Sequence, residues 1–168
     1  SESQRDSSEA AISYAFAREN IRLLDKTNVS SERQKLFADA TEQISLAMGY
    51  FKENDPSRFA KTFCVRAQLY MYEGTIDKLN LAKDLLREGL VFCKDQQRRD
   101  NYIRVSMLLL EVDLERLKLR NFQKEELDVI KREAKIVYSN VVDEINNSDD
   151  EENYKEELDS LMKQIRRQ

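Results

Sequence analysis

Residues 97–119 read QRRDNYIRVSMLLLEVDLERLKL, and this stretch decides the fold class. At about 100° per residue, Ile103, Met107, Leu110, Leu114 and Leu117 fall on one face of a helix. Val105, Leu109, Val112 and Leu119 fall on the opposite face, and charged residues such as Arg104, Glu111, Asp113 and Arg116 fill the flanks. A helix apolar on two opposite sides belongs between two layers of other helices. The alternative is that one face stays open as a groove for an apolar partner segment.

Working outward, the same 3.6-residue period recurs on both sides, and no stretch of strict alternation competes with it. It predicts helices over about Ser7–Asp25, Ser31–Lys52, Ser57–Glu73, Ile76–Lys94, Gln97–Leu119, Lys124–Ile145 and from Ser148 onward. The breaks have local causes. Ser31 with Gln34, and Ser148 with Glu151, have the spacing of capping boxes. Pro56 biases Asp55 away from helical dihedrals and suits a first helical turn, while Gly74 suits a helix C-terminus. Three Gly and one Pro in 168 residues leave little material for strands and turns. Connections of two to six residues make successive helices antiparallel neighbours. The expected fold is all-α: about seven antiparallel helices as stacked hairpins in one domain, residues 1–168. The hairpins would span about 7–53, 57–94 and 97–145, with a capping helix over about 148–168, where Tyr154, Leu158, Leu161 and Ile165 form a narrow apolar stripe.

Composition narrows the chemistry. The chain has no His and two Cys, which removes Ser-His-Asp and Cys-His nucleophilic sites and His-ligated zinc. No glycine-rich phosphate loop is present. Asp113 and Glu133 are the nearest thing to an interior carboxylate pair, and pairing with Arg116, Lys131 or Arg132 accounts for them. The expectation is a protein that is not an enzyme and needs no cofactor or metal. Charged residues make up 36% of the chain, yet 28 Lys and Arg against 32 acids give a net charge of −4, which argues against nucleic acid as main ligand. No run of about 18 apolar residues suggests a membrane span. Ser1–Ser8 has no apolar leader core. Cys64 and Cys93 sit in apolar helical segments, too far apart along their helices for easy bridging. Two free thiols and a reducing, cytoplasmic setting are expected.

A spacing repeats. Ala40-x3-Ile44-x2-Ala47-Met48 returns 42 residues later as Ala82-x3-Leu86-x2-Gly89-Leu90, and Phe63-x3-Ala67-x2-Tyr70-x3-Gly74 precedes the second copy. Small residues let helices approach while the large one fills the gap between them. Over residues 33–94 this pattern resembles the tetratricopeptide repeat. The spacing departs from that family between Tyr70 and Ala82, where about three residues are extra, and at Lys94, where the family has Pro. A HEAT-like or PCI-type repeat and a plain helical bundle are the alternatives.

The resemblance implies a protein–protein interaction domain, an adaptor or assembly subunit, binding a partner peptide or helix on a concave surface. On the third helix Lys61, Val65, Gln68 and Tyr72 turn away from the Phe63/Ala67/Tyr70 stripe and share one face, a mixture suited to gripping a peptide. Cys64 and Gln68 stand where the carboxylate-clamp class of the family carries Lys and Asn, which disfavours chaperone-tail binding. Lys94, Arg98, Arg99 and Arg104 form a possible basic patch for an acidic partner or RNA. A peptide-sensing regulatory module, an RNA-binding repeat and a homodimer are the other readings.

Overall fold

The computed structural model describes residues 1–146 and 151–168, with the side chains of residues 151 and 152 outside the described set. Among the described residues there are seven helices and no strand: α1 (Glu2–Leu24), α2 (Ser30–Asn54), α3 (Pro56–Glu73), α4 (Ile76–Asp95), α5 (Arg99–Leu119), α6 (Lys124–Ile145) and α7 (Glu151–Arg167). The all-α reading holds, and most boundaries fall within two residues of those the periodicity predicts.

Helix termini show where local chemistry acts. Asp55 leaves the helical region, which the following Pro disfavours (φ −149°, ψ 85°), and its carboxylate accepts the Arg58 N–H at 3.1 Å to open α3. Gly74 adopts a left-handed conformation at φ 69°, as a residue just past a helix end should. Two starts differ from the predicted ones. Helix α1 begins at Glu2, not near Ser7, because Ser1 and Gln4 form a capping box ahead of it. Helix α2 starts at Ser30 with Val29 as N-cap and no side-chain cap bond, so the Ser31–Gln34 capping box does not form. With the start one residue earlier, both serines lie inside the first turn. The capping box expected at Ser148 and Glu151 lies outside the described residues.

The chain divides into two compact units, Ser1–Glu73 and Gly74–Gln168. The boundary falls within the span 57–94 for which the spacing predicts a single hairpin. In the first unit α1, α2 and α3 pack on one another. Ala10 and Ala17 of α1 meet the α2 stripe of Ala40, Ile44 and Ala47, all buried, so the small residues bring the two helices close while Ile44 and Phe51 fill the space. Polar groups fix the register. Asn20, 4% exposed, donates to the Leu36 carbonyl, and Arg33 donates to the carbonyls of Leu24 and Thr27 at the end of α1.

In the second unit α5 is the centre, packed by α4, α6 and α7. Ile103, Leu110 and Leu114 join a cluster with Ile130, Ala134, Val141 and Ile145 of α6 and Leu158, Leu161 and Ile165 of α7. Val105, Leu109 and Val112 on the other face are also at most 2% exposed. The sandwiched reading of α5 is correct and the open-groove reading is not; of its two apolar stripes only Leu119 is exposed. The predicted α7 stripe is likewise the face buried on α5 and α6, with Met162 added to it.

Helix α4 ends in a Schellman motif. The Arg98 N–H bonds the Cys93 carbonyl at 2.8 Å and the Gln97 N–H bonds that of Lys94 at 3.1 Å. Gln97 sits at φ 53°, a region that costs a residue with a Cβ roughly 1–2 kcal/mol. Gln97→Gly should therefore stabilise the chain by about 0.5–1 kcal/mol after allowance for glycine's greater unfolded-state freedom. A higher urea midpoint with an unchanged slope is the result that checks it.

Candidate partner-binding surfaces

The four residues proposed on α3 do not form one open face. Val65 is 4% exposed and packs with Ala17, Ile21, Leu24 and Leu69 in the core of the first unit. Tyr72 is half-buried in the same cluster, and its hydroxyl donates to the Asp25 carboxylate beside a longer contact of 3.4 Å with the Ile21 carbonyl. Burial first, then the Asp25 hydrogen bond and charge, push the Tyr72 phenol up to about 12. Lys61 remains exposed and Gln68 half-buried. The physical reason is that α3 is apolar on a second side. Helix α1 covers the stripe that helical spacing alone sets opposite the Phe63/Ala67 core.

The basic turn is better assembled. Lys94, Arg98 and Arg99 line one cavity of about 430 Å³ between the α4–α5 turn and the last turns of α6, together with Cys93, Gln97, Tyr102, Asn140, Asp143 and Glu144. Arg104 is exposed and lies outside this lining. Arg99 is committed to Glu144 at 3.0 Å. Neither Cys93 nor Cys64 is in a disulfide, and burial pushes the Cys93 thiol up to about 11, so it stays protonated at neutral pH.

The carboxylates Asp113 and Glu133 do come together, through a residue that helical spacing does not single out. Lys83 of α4, 6% exposed, places its ammonium 2.9 Å from Asp113 and 3.1 Å from Glu133. Arg116 pairs with Asp113 at 3.0 Å, as the sequence suggests, and reaches Asn80 at 2.8 Å. Glu133 takes Arg87 at 2.9 Å rather than Lys131 or Arg132. Burial pushes the Glu133 carboxyl upward, but the Lys83 hydrogen bond and the charges of Lys83, Arg87 and Arg116 outweigh it and hold the group below its ordinary value. Its stabilising contribution is thus present above the unfolded carboxylate pKa and is lost as pH falls through its own lowered one. Every group here has an opposite charge within hydrogen-bond range, so the network ties α4, α5 and α6 together and has no uncommitted acid or base. Among the described residues no three His, Cys, Asp or Glu side chains gather as a metal site would need.

Glu111 of α5 has the opposite sign. Burial, then the charges of Glu157 and Glu115, raise its carboxyl above the ordinary value. The folded state then binds that proton more tightly than the unfolded chain, so the ionised group opposes folding at neutral pH. Glu111→Gln should raise the melting temperature at pH 7, and the gain should shrink as pH falls to about 4, where the unfolded carboxyl takes up its proton. Melting curves across that range check the sign.

One surface has no counterpart in the predicted sites. Between α6 and α7 an open groove of about 440 Å³ is lined by Asp128, Lys131, Arg132, Lys135, Met162, Ile165 and Arg166. Met162 and Ile165 form a buried apolar floor, and four cations face a single carboxylate on the walls. Lys131 also donates to the Arg166 carbonyl at 3.3 Å, anchoring the end of α7. Beside the groove Val129 and Ile136 are 42% and 60% exposed, two turns apart on α6 with Arg132 between them. Sequence holds half the signal, Lys131 and Lys135 at i, i+4. The other half sits more than thirty residues away, at Arg166.

No known protein family, curated protein or solved structure matches the chain. No helix among the described residues is long and apolar enough to cross a membrane.

Proposed function

We propose that this chain is a non-enzymatic helical interaction domain, an adaptor or assembly subunit, that takes an acidic amphipathic segment of a partner protein along the α6–α7 groove. The observation that carries this is the gathering of Lys131, Arg132, Lys135 and Arg166 over an apolar floor, in a chain whose net charge is −4. Such a local reversal of sign attracts acidic partners, and complementary charge sets orientation and encounter rate more than affinity. Exposed Val129 and Ile136 add apolar anchors at helical spacing, which a partner helix can cover. The interaction reading is also supported by the tetratricopeptide-like spacing. The small and large residues of that spacing on α2 and α4, Ala40, Ile44, Ala47, Ala82, Leu86 and Gly89, are buried, as close-packing positions of any helical assembly are. A cytoplasmic setting fits two cysteines that form no disulfide.

The proposed surface differs from the α3 face because Val65 and Tyr72 are used in packing. A Tyr72→Ala variant would therefore perturb the first unit as well as any surface. The test is affinity capture from source-cell lysate with the wild-type chain beside an Arg132→Glu/Lys135→Glu variant, both checked by circular dichroism. Loss of one protein from the variant alone, with the captured contact mapped to an acidic segment, is the expected result. Retention of the same partner by both proteins would overturn the groove. Capture of nucleic acid with a steep salt dependence would replace the reading with the RNA-binding one.

A further inference from the structure

Helix α4 carries an outer stripe that its packing leaves in solvent. Asp77, Leu81, Asp84, Glu88, Val91 and Asp95 follow one another at alternating steps of four and three residues. That is the average of about 3.5 residues that marks a seam along which two helices pack side by side. All six are exposed, Leu81 at 45% and Val91 at 62%. The opposite side of the helix, with Leu79, Ala82, Leu86 and Cys93, is buried, and α4 packs on α5. The outer stripe holds four carboxylates and no Lys or Arg, while Lys83 and Arg87 of the same helix are drawn to Glu133. An apolar pair set among carboxylates at helical spacing is the chemistry that the α6–α7 groove accepts.

We infer that the α4 stripe of a second copy of this chain is a segment that docks in the α6–α7 groove, an assignment that rests on the groove being a docking surface for acidic helices. Leu81 and Val91 supply the apolar anchors, for the Met162–Ile165 floor and for Val129 and Ile136 beside it. Asp84 and Glu88, between those anchors, meet Arg132 and Lys135. Four carboxylates on the stripe face a groove whose four cations outnumber its single carboxylate, so the two surfaces are opposite in sign. Stripe and groove both stand open within one copy, and a second copy is what brings them together. Because the surfaces are unlike, the contact is heterologous, and the assembly grows as rings or open chains. One helix face on one groove lies at the small end of specific interfaces, so the association is weak, reversible and sensitive to salt.

The experiment is sedimentation velocity of the full chain from micromolar to near-millimolar concentration, at low and at high sodium chloride. The wild-type chain should sediment as a concentration-dependent assembly whose association constant falls by roughly tenfold or more at high salt. Asp84→Lys/Glu88→Lys and Arg132→Glu/Lys135→Glu should each stay monomeric alone, because each sets like charge against like. All four positions are exposed, so the fold tolerates these changes, and circular dichroism checks it. An equimolar mixture of the two variants should associate again. The native groove of the first then meets the native stripe of the second, and the two reversed surfaces are also opposite in sign. A mixture that stays monomeric, or wild-type association that survives Asp84→Lys/Glu88→Lys, overturns the assignment. A wild-type chain that is monomeric throughout overturns it too, and capture from lysate then judges the groove by itself. A foreign acidic partner lost from Arg132→Glu/Lys135→Glu leaves the groove as that protein's docking site, whereas its retention removes both.

Discussion

Replacing Lys83 with Met should cost the second unit about 3 kcal/mol, read as a lower urea midpoint. The ammonium it removes is nearly inaccessible and holds Asp113, itself 1% exposed, together with Glu133. Removing one member of a buried ion pair leaves the other charge in a poor solvent, a loss of roughly 3–5 kcal/mol. Arg116 remains on Asp113 and Arg87 on Glu133, which places the expected cost at the lower end. The decisive companion is Lys83→Met with Asp113→Leu. Glu133 keeps Arg87, but Arg116, with its side chain only 14% exposed, keeps only the neutral Asn80, so stability should recover in part, to within about 2 kcal/mol of the parent. A double variant as unstable as the single one would mean that the network contributes through its own attraction rather than by mutual neutralisation.

The second large effect tests the two-sided burial of α5. Leu110→Ala should cost about 3–4 kcal/mol, since Leu110 is fully buried in the cluster shared with α6 and α7. Leu109→Ala, on the opposite face and 2% exposed, should cost a comparable ~3 kcal/mol. Leu119→Ala, 55% exposed, should stay within about 0.5 kcal/mol of the parent. A helix laid on a surface would pay on one face only. Equal losses at Leu109 and Leu110 in chemical denaturation are the signature of a helix packed all round, and a near-neutral Leu109→Ala would contradict it.

Sites were less legible than helices, and the residues show why. Val65 and Tyr72 stand at positions that helical geometry correctly sets apart from Phe63 and Ala67. Whether a stripe is open depends on what another helix does, and α1 covers this one. Lys83 is one of three lysines on the amphipathic helix α4, and its burial arises only when α5 and α6 bring two carboxylates to it. The α6–α7 groove is split between segments distant in sequence, so no local pattern contains it. The basic turn was partly visible, because Lys94, Arg98 and Arg99 are neighbours in the chain and a turn keeps them so. Arg104 leaves the group because it follows on the opposite flank of α5.

What the amino-acid sequence by itself determined is the all-α class, the number and approximate limits of the helices, the two-faced nature of α5 and the buried stripe of α7. These depend on periodicity, caps and the scarcity of Gly and Pro, which act over a few residues at a time. What only the tertiary structure decided is the division at residues 73 and 74, the partner of each apolar stripe, the ion network around Lys83 and the two basic cavities. Those depend on which helices meet. A hydrophobic stripe specifies that it will be buried but not against what, because the hydrophobic effect is non-directional and rewards any apolar cover equally.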